Sequence, residues 1–146
     1  MNIVEKLMER WRDIDYPFLV HSSGELRFSE IAEQKAVDVS KVKSGDVVAL
    51  IGDFDPLSIL TLLQLIDKNV ILVPLTVDTR AQHEYFFESA LVDVVIEGEE
   101  VKRITHSIKH EIIETLRSNK HAGLVLFSTG TTGRPKAILH DLTLFM

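Results

Sequence analysis

Residues 128–136 read Ser128-Thr129-Gly130-Thr131-Thr132-Gly133-Arg134-Pro135-Lys136 and directly follow an apolar, uncharged run at 122–127. A short run of bulky residues without charge predicts a buried strand. We therefore expect the chain to leave the end of a buried strand through a loop of small residues.

The residue types in this loop suit a polyphosphate ligand. Gly130 and Gly133 have no Cβ, so the backbone can take positive φ and bring its amides close to phosphate oxygens. Lys136 adds a compact cation that pairs well with phosphate. Four hydroxyl groups can donate to the same ligand: Ser128, Thr129, Thr131 and Thr132. The alternative is an ordinary turn, because Gly, Ser and Thr are common in any loop.

Two better-known phosphate motifs do not fit the spacing. A P-loop has four residues between its glycines and a Lys-Ser/Thr pair directly after the second, whereas here two residues separate the glycines and Arg134 follows Gly133. The dinucleotide-binding pattern Gly-x-Gly-x-x-Gly does not occur either. The loop therefore indicates phosphate binding of another kind.

The segment Ser128–Lys136 resembles the Ser/Thr/Gly-rich phosphate loop of the adenylate-forming superfamily, which includes acyl- and aryl-CoA synthetases, peptide-synthetase adenylation domains and luciferases. Two upstream runs, 46–51 and 70–75, resemble the paired strands that precede that loop in the family. The similarity extends from about Ser23 to His140. The sequence differs from the family at Ala137, where a glycine usually follows the lysine, and at Lys68-Asn69, where a Gly-Ala pair is usual.

The resemblance implies an enzyme that activates a carboxylic acid with Mg-ATP. In that family the carboxylate attacks the α-phosphorus, pyrophosphate leaves, and the acyl-adenylate passes to a thiol of coenzyme A or of a carrier protein. The cofactors implied for a full-length parent are ATP, Mg2+ and coenzyme A. The implied phosphate contacts are Ser128, Thr129, Gly130, Thr131, Thr132, Gly133 and Lys136, with no catalytic residue and no metal ligand assigned in this segment.

Strand and helix patterns alternate along the chain, which predicts an α/β fold with a mostly parallel sheet covered by helices on both faces. In such sheets ligands bind beyond the carboxyl ends of the strands, where the 128–136 loop is expected to emerge. A β-hairpin is predicted at 18–28, and strands are predicted at 47–51, 70–75 and 93–96. Helices are predicted at 3–12, from Ser29 to about 39, at 57–67, from Asp78 or Thr79 to 91, and at 108–118.

Several polar and aromatic residues have competing interpretations. Asp55 followed by Pro56 predicts a helix N-terminus, which is favoured over a carboxylate pair or a magnesium site formed with Asp53. Tyr85 and Phe86 are interpreted as core residues rather than ligand contacts. His106 and His110 stand four apart and could hold zinc with Glu111 or Glu114, but a solvated helix is favoured.

Bulk composition narrows the functional class. The chain has 146 residues, 45% of them hydrophobic, so it can bury one modest core. The net charge of -6 argues against a nucleic-acid partner or an anionic membrane. No cysteine is present and no apolar run is long enough to span a membrane, so we expect a cytoplasmic protein without disulfides.

The chain is expected to be an incomplete N-terminal subdomain, 1–146, of an AMP-binding domain in an acyl-CoA synthetase-like ligase of fatty-acid or aryl-acid metabolism. Asp141 is interpreted as the N-cap of an apolar turn, 142–146, at which the chain ends. We expect this fragment to be inactive alone and to self-associate through apolar surface. Its partners would be a small carboxylic acid and the thiol acceptor. The alternatives are a stand-alone nucleotide- or phosphate-binding module and a structural interaction domain.

Overall fold

The computed structural model describes residues 3–14, 16–22, 24–53, 55–104, 106, 108–128 and 134–145. Among these residues, no helix has both the length and the apolar character needed to span a bilayer. In chain order the elements are α1 (Ile3–Trp11), β1 (Leu19–His21), β2 (Gly24–Leu26), α2 (Phe28–Ala32), β3 (Val47–Ile51), α3 (Pro56–Asp67), β4 (Ile71–Leu75), a 3-10 helix (Val77–Gln82), α4 (His83–Ala90), β5 (Val94–Glu97), β6 (Glu100–Arg103), α5 (Glu111–Asn119), β7 (Gly123–Phe127), β8 (Ala137–Asp141) and a second 3-10 helix (Leu142–Phe145).

One six-stranded sheet organises the molecule, in the order β6-β5-β3-β4-β7-β8. The four inner strands are parallel, and β6 and β8 pair antiparallel at the two edges. Every residue of β3 is buried, as expected for a strand that is covered on both faces. The predicted α/β class with a mostly parallel sheet is therefore confirmed.

Two apolar clusters cover the faces of this sheet. Val48 and Leu50 of β3 pack on the side of α3, together with Leu65. Val47, Ala49 and Ile51 point to the other side. There they pack with residues of α4 and α5, namely Phe86, Ala90, Ile113 and Leu116. The alternation along one strand shows why a run without polar residues is needed at the centre.

The N-terminal elements form a smaller layer beside the sheet. Trp11 contacts Phe18 edge-to-face at 5.1 Å between ring centroids, and Phe18 contacts Phe28 in the same way at 4.9 Å. The backbone amide of Ile3 donates to Asp67 Oδ1 at 2.7 Å, which joins α1 to the end of α3. The hairpin is tighter than predicted, because Leu19 pairs with Leu26 and β2 already begins at Gly24.

The prediction of a helix from Ser29 to about 39 is wrong. Helix α2 begins at Phe28 and ends at Ala32, and Arg27 occupies the N-cap position. Beyond it, Val37 and Val42 are buried in the α3-side cluster. The carbonyls of Val39 and Val42 accept hydrogen bonds from Lys68 Nζ at 2.6 and 2.9 Å. A long-range partner thus satisfies carbonyl groups along this irregular segment.

The other helices differ from prediction mainly at their ends. The predicted 78–91 helix is divided, because Thr79 leaves helical geometry and a 3-10 segment precedes α4. Helix α5 begins at Glu111, not at 108. At the end of α3, Asn69 takes a left-handed φ of 57°, a conformation that asparagine tolerates better than most residues. At the last strand, Thr143 N donates to Asp141 Oδ1 at 2.9 Å, consistent with the predicted capping role of Asp141.

Candidate functional site: the loop between β7 and β8

The 128–136 loop connects two antiparallel neighbours and so begins and ends at one place. Phe127 of β7 pairs with Ala137 of β8. One step further out, Ser128 N donates to the Lys136 carbonyl at 2.9 Å. Lys136 N donates to Ser128 Oγ at 3.0 Å. These two bonds close the base of the loop at the carboxyl end of β7.

The predicted phosphate contacts fall into two groups. Ser128 and Lys136 lie at the closed base, Ser128 half-buried and Lys136 exposed. Thr129, Gly130, Thr131, Thr132 and Gly133 lie outside the described residues. The structure therefore places both ends of the predicted site, and the assignment of its central residues stays a prediction.

The hydroxyl of Ser128 already has a structural role. Its oxygen accepts the amide proton of Lys136, so it holds the two ends of the loop together. A hydroxyl has one proton to donate and two lone pairs, and only one lone pair is used here. Ser128 can therefore close the loop and still donate to an anion above it.

Two aromatic residues of α4 contact the flanks of the loop. The Phe86 ring stacks on Phe127, the last residue of β7, with centroids 4.2 Å apart. The Tyr85 hydroxyl donates to the Pro135 carbonyl at 2.7 Å, and the Arg134 guanidinium lies 4.9 Å from the centroid of the Tyr85 ring. Phe86 is a core residue as predicted, being 5% exposed. Tyr85 packs partly buried against the same cluster, as predicted, and its hydroxyl adds a contact with the loop that was not predicted.

The N-terminus of α3 lies at the same edge of the sheet as the loop. Asp55 Oδ1 accepts from Ser58 N and Asp55 Oδ2 from Ser58 Oγ, both at 2.9 Å. Burial alone would raise the pKa of Asp55, but the hydrogen bonds from Ser58 outweigh it and lower the pKa. Asp53 Oδ1 accepts from Val77 N at 3.2 Å. The predicted capping role of Asp55 is confirmed, and each carboxylate has a backbone partner.

A cavity of about 210 Å3 opens at this edge on the α3 side of the sheet. Its walls include Gly52, Ser58, Pro74 and Leu126. Pairing between β4 and β7 runs only through Ile71–Gly123 and Leu72–Leu124. Pro74 has no N–H to extend the ladder, which leaves space between the carboxyl ends of β4 and β7. A larger open cavity, about 590 Å3, lies between α1 and α2 and has Met8, Trp11 and Phe28 among its lining residues.

The structure does not support the zinc alternative. His110 is the N-cap of α5, where its Nδ1 accepts from Ile112 N at 3.2 Å. His106 lies outside the helix, and its Nε2 is 2.7 Å from Asp93 Oδ1. Within the described part of the chain, no group of three or more His, Cys, Asp or Glu side chains could hold a metal ion.

Solved structures share this fold, although no protein-family model and no curated protein matches the sequence. The N-terminal subdomain of NpsA from Klebsiella oxytoca is 20% identical with a TM-score of 0.62, over 94% of this chain and 40% of that chain. The complex of VinN with L-aspartate is 14% identical with a TM-score of 0.59, over 94% of this chain and 47% of that one.

A third match links the same fold to a larger assembly. NpsA-ThdA, an artificially fused adenylation-PCP di-domain of a nonribosomal peptide synthetase, is 16% identical with a TM-score of 0.61, and the chain covers 29% of it. The chain thus spans less than half the length of each of these proteins. The chain therefore has the fold of part of the NpsA N-terminal subdomain, and the predicted fold class is confirmed.

Proposed function

We propose that the chain is the incomplete N-terminal subdomain, 1–146, of an ATP-dependent ligase that converts a carboxylic acid to an acyl-adenylate and then to a thioester. The observation that carries the proposal is the loop of hydroxyls, glycines and Lys136, closed at its base by Ser128 and Lys136 at the carboxyl end of β7. Ligands of parallel α/β sheets bind at this edge. The shared fold with NpsA and VinN supports the same assignment.

The residues at the base of the loop fit an anionic polyphosphate. Lys136 is exposed beside the closed base, so its amine can approach a phosphate without breaking a core contact. ATP would supply the leaving pyrophosphate. The work of the loop is to hold the β- and γ-phosphates in line and to offset negative charge that grows on them. Thr131 and Thr132 are proposed for hydroxyl contacts, and Gly130 and Gly133 for the shape of the backbone.

The remaining parts of the proposal concern the whole protein. Mg2+ is proposed to be held by residues outside this segment; among the described residues, no group of three or more His, Cys, Asp or Glu side chains could hold a metal ion. Aryl acids are the first substrates to assay, since NpsA structures contain 3-hydroxybenzoyl-AMSN and anthranilyl-AMSN. Coenzyme A and a carrier-protein thiol are both proposed as acceptors, and NpsA-ThdA is an adenylation-PCP fusion. The proposed location is the cytoplasm.

The isolated chain is proposed to be inactive and to self-associate. Leu126 is 44% exposed and Ile138 is 47% exposed on neighbouring strands, and Leu144 is 80% exposed beyond them. Exposed apolar surface of this kind favours association in water. Light scattering over a concentration series measures this self-association. A chain that stays monomeric at every concentration would contradict the proposed self-association.

The experiment that tests the proposed reaction is carboxylate-dependent exchange between ATP and pyrophosphate, measured for this chain and for a longer protein that contains it. The chain alone should give no exchange. In the longer protein, Lys136→Ala and Thr132→Ala should each lower the exchange rate about tenfold to a hundredfold, as expected for loss of a charge-assisted contact.

Lys102→Ala is the matched control, because Lys102 is exposed on β6 at the opposite edge of the sheet. Its exchange rate should equal that of the unmodified protein. Carboxylate-dependent exchange between ATP and pyrophosphate by the chain alone would refute the proposal that the chain is an incomplete, inactive subdomain. Unchanged exchange kinetics in both loop variants would show that the loop has no role in the reaction.

A further inference from the structure

Helix α4 is attached firmly at the carboxyl edge of the sheet. His83, only 5% exposed, begins the helix, and its Nε2 lies 2.9 Å from the carbonyl of Thr76, the residue that follows β4. One turn further on, buried Phe86 stacks on Phe127. These contacts tie α4 both to the end of β4 and to the last residue before the loop. The helix is therefore a fixed platform from which a neighbouring side chain can act on the loop.

Tyr85 extends from this platform to the far end of the loop. Its hydroxyl donates to the carbonyl of Pro135 at 2.7 Å, and its ring faces the guanidinium of Arg134, 4.9 Å from the ring centroid. One side chain thus contacts the two residues that directly precede Lys136. Since Phe86 contacts the residue before Ser128, α4 contacts the chain on both sides of the loop.

We propose that Tyr85 is a positioning residue for the 128–136 loop, which it serves by holding Arg134 and Pro135 so that the backbone enters Lys136 along one fixed path. The inference rests on the proposed function of the loop and deepens it. Tyr85 itself need not touch the phosphate. It acts by keeping the Ser128–Lys136 closure formed before the ligand arrives.

Fixing the backbone has its main effect on the hydrogen bonds between Ser128 and Lys136. Ser128 and Lys136 exchange two hydrogen bonds that depend on the direction of the chain at Pro135. A loop that is ordered before binding loses less conformational entropy when the ligand arrives, so its affinity is higher. Removing the Tyr85 hydroxyl should therefore open the base of the loop and weaken anion binding, while the sheet stays intact.

The test compares Tyr85→Phe with Tyr16→Phe, a matched control at a side chain that is 74% exposed. The first measurement is amide hydrogen exchange of the full chain by NMR. Tyr85→Phe should speed exchange of the Ser128 and Lys136 amides about fivefold, the usual effect of one lost hydrogen bond. Amides that donate within the β7–β8 ladder, such as those of Leu124 and His140, should keep their rates. Tyr16→Phe should change none of these rates.

A second variant tests the ring contact alone. Arg134→Gln removes the cation but leaves the Tyr85 hydroxyl in place, so exchange at Lys136 should rise only about twofold. The second measurement is titration with inorganic tripolyphosphate, for which Tyr85→Phe should weaken the affinity several-fold.

The two measurements separate the inference from the proposed function. Equal exchange at Ser128 and Lys136 in the unmodified chain and in Tyr85→Phe would overturn the positioning role, whether or not tripolyphosphate binds. Faster exchange at those two amides, combined with no tripolyphosphate binding by the unmodified chain, would support the positioning role and overturn the phosphate function of the loop. Faster exchange together with weaker binding supports both.

Discussion

Gly52 is the position where a single methyl group should be most damaging at the functional edge. It follows β3, and its amide donates to the Leu75 carbonyl at 3.0 Å. A Cβ at this position would lie 2.1 Å from Ser58 Oγ and 2.9 Å from Ser58 Cβ. Both separations are too short for non-bonded atoms, so Gly52→Ala must displace the Ser58 side chain. That side chain donates to Asp55 at the N-terminus of α3.

The expected cost follows from these contacts. Forcing a methyl group into a packed site costs about 1–3 kcal/mol, and loss of the Ser58–Asp55 hydrogen bond adds about 1 kcal/mol. Gly52→Ala should therefore lower the free energy of unfolding by about 2–4 kcal/mol. For a chain of this size, that corresponds to a fall in Tm of roughly 6–12 °C.

A double-mutant cycle in urea, followed by circular dichroism, tests the stated cause. Ser58→Gly removes both clashing atoms, whereas Ser58→Ala removes only the oxygen. Gly52→Ala combined with Ser58→Gly should cost at least about 1 kcal/mol less than the sum of the single changes, with a smaller relief for Ser58→Ala.

Gly98→Ala is the control, because its positive φ of 59° strains an alanine although no atom lies within 4 Å. The loss in free energy of unfolding caused by Gly98→Ala should simply add to the loss caused by Ser58→Gly. If the costs of Gly52→Ala and Ser58→Gly are additive, the close approach of a residue 52 Cβ to Ser58 is not the reason that alanine destabilises the chain at this position.

Two further predictions concern stability. Lys68→Met should lower the free energy of unfolding by about 2–3 kcal/mol, because the carbonyls of Val39 and Val42 lose a charged donor. The control Lys43→Met, at an exposed position, should change the free energy of unfolding by less than about 0.5 kcal/mol. Equal costs of the two changes in urea unfolding would contradict the role of Lys68. Hydrogen bonds from Thr143, and then His121, lower the pKa of Asp141, so its contribution to stability should be present above about pH 4 and lost as the pH falls further. Asp141→Asn should accordingly destabilise the chain at pH 6 but not at about pH 2, and a difference that does not depend on pH would exclude this linkage.

The central strands and one helix start could be predicted because their signals are local. Uncharged runs at β3 and β4 indicated burial on both faces, and all five residues of β3 are buried. Asp55 and Pro56 specify a helix N-terminus through short-range geometry alone, and the structure has that cap. These features depend on neighbours within a few residues in the sequence.

The edge strands could not be predicted in the same way. Strand β6 consists of Glu100, Val101, Lys102 and Arg103, a charged sequence that suits a sheet edge but carries little strand signal. The pairing of β8 with β7 depends on how the 128–136 loop reverses the chain. Strand β6 lacks the uncharged pattern that identified β3 and β4, and the apolar run of β8 is only three residues long before His140 and Asp141.

The missed contact of Tyr85 has a similar cause. Tyr85 and Pro135 are separated by 50 positions and meet only because α4 and the loop lie at the same edge of the sheet. In the sequence, Tyr85 next to Phe86 is typical of a helix face packed on a core, which is correct for both residues but does not indicate the contact with Pro135. Lys68 and the carbonyls of Val39 and Val42 are a second example, since these hydrogen bonds join residues that are 29 and 26 positions apart.

The central claim, that the loop between β7 and β8 binds a phosphate chain, is tested most directly by titrating the full chain with inorganic tripolyphosphate and following the backbone amides by NMR. The account predicts saturable shifts at residues 128–136, weakened about tenfold or more in Lys136→Ala, as expected for loss of a charged contact, and unchanged in Lys102→Ala. Shifts that do not saturate, or equal affinity in Lys136→Ala and the unmodified chain, would contradict it.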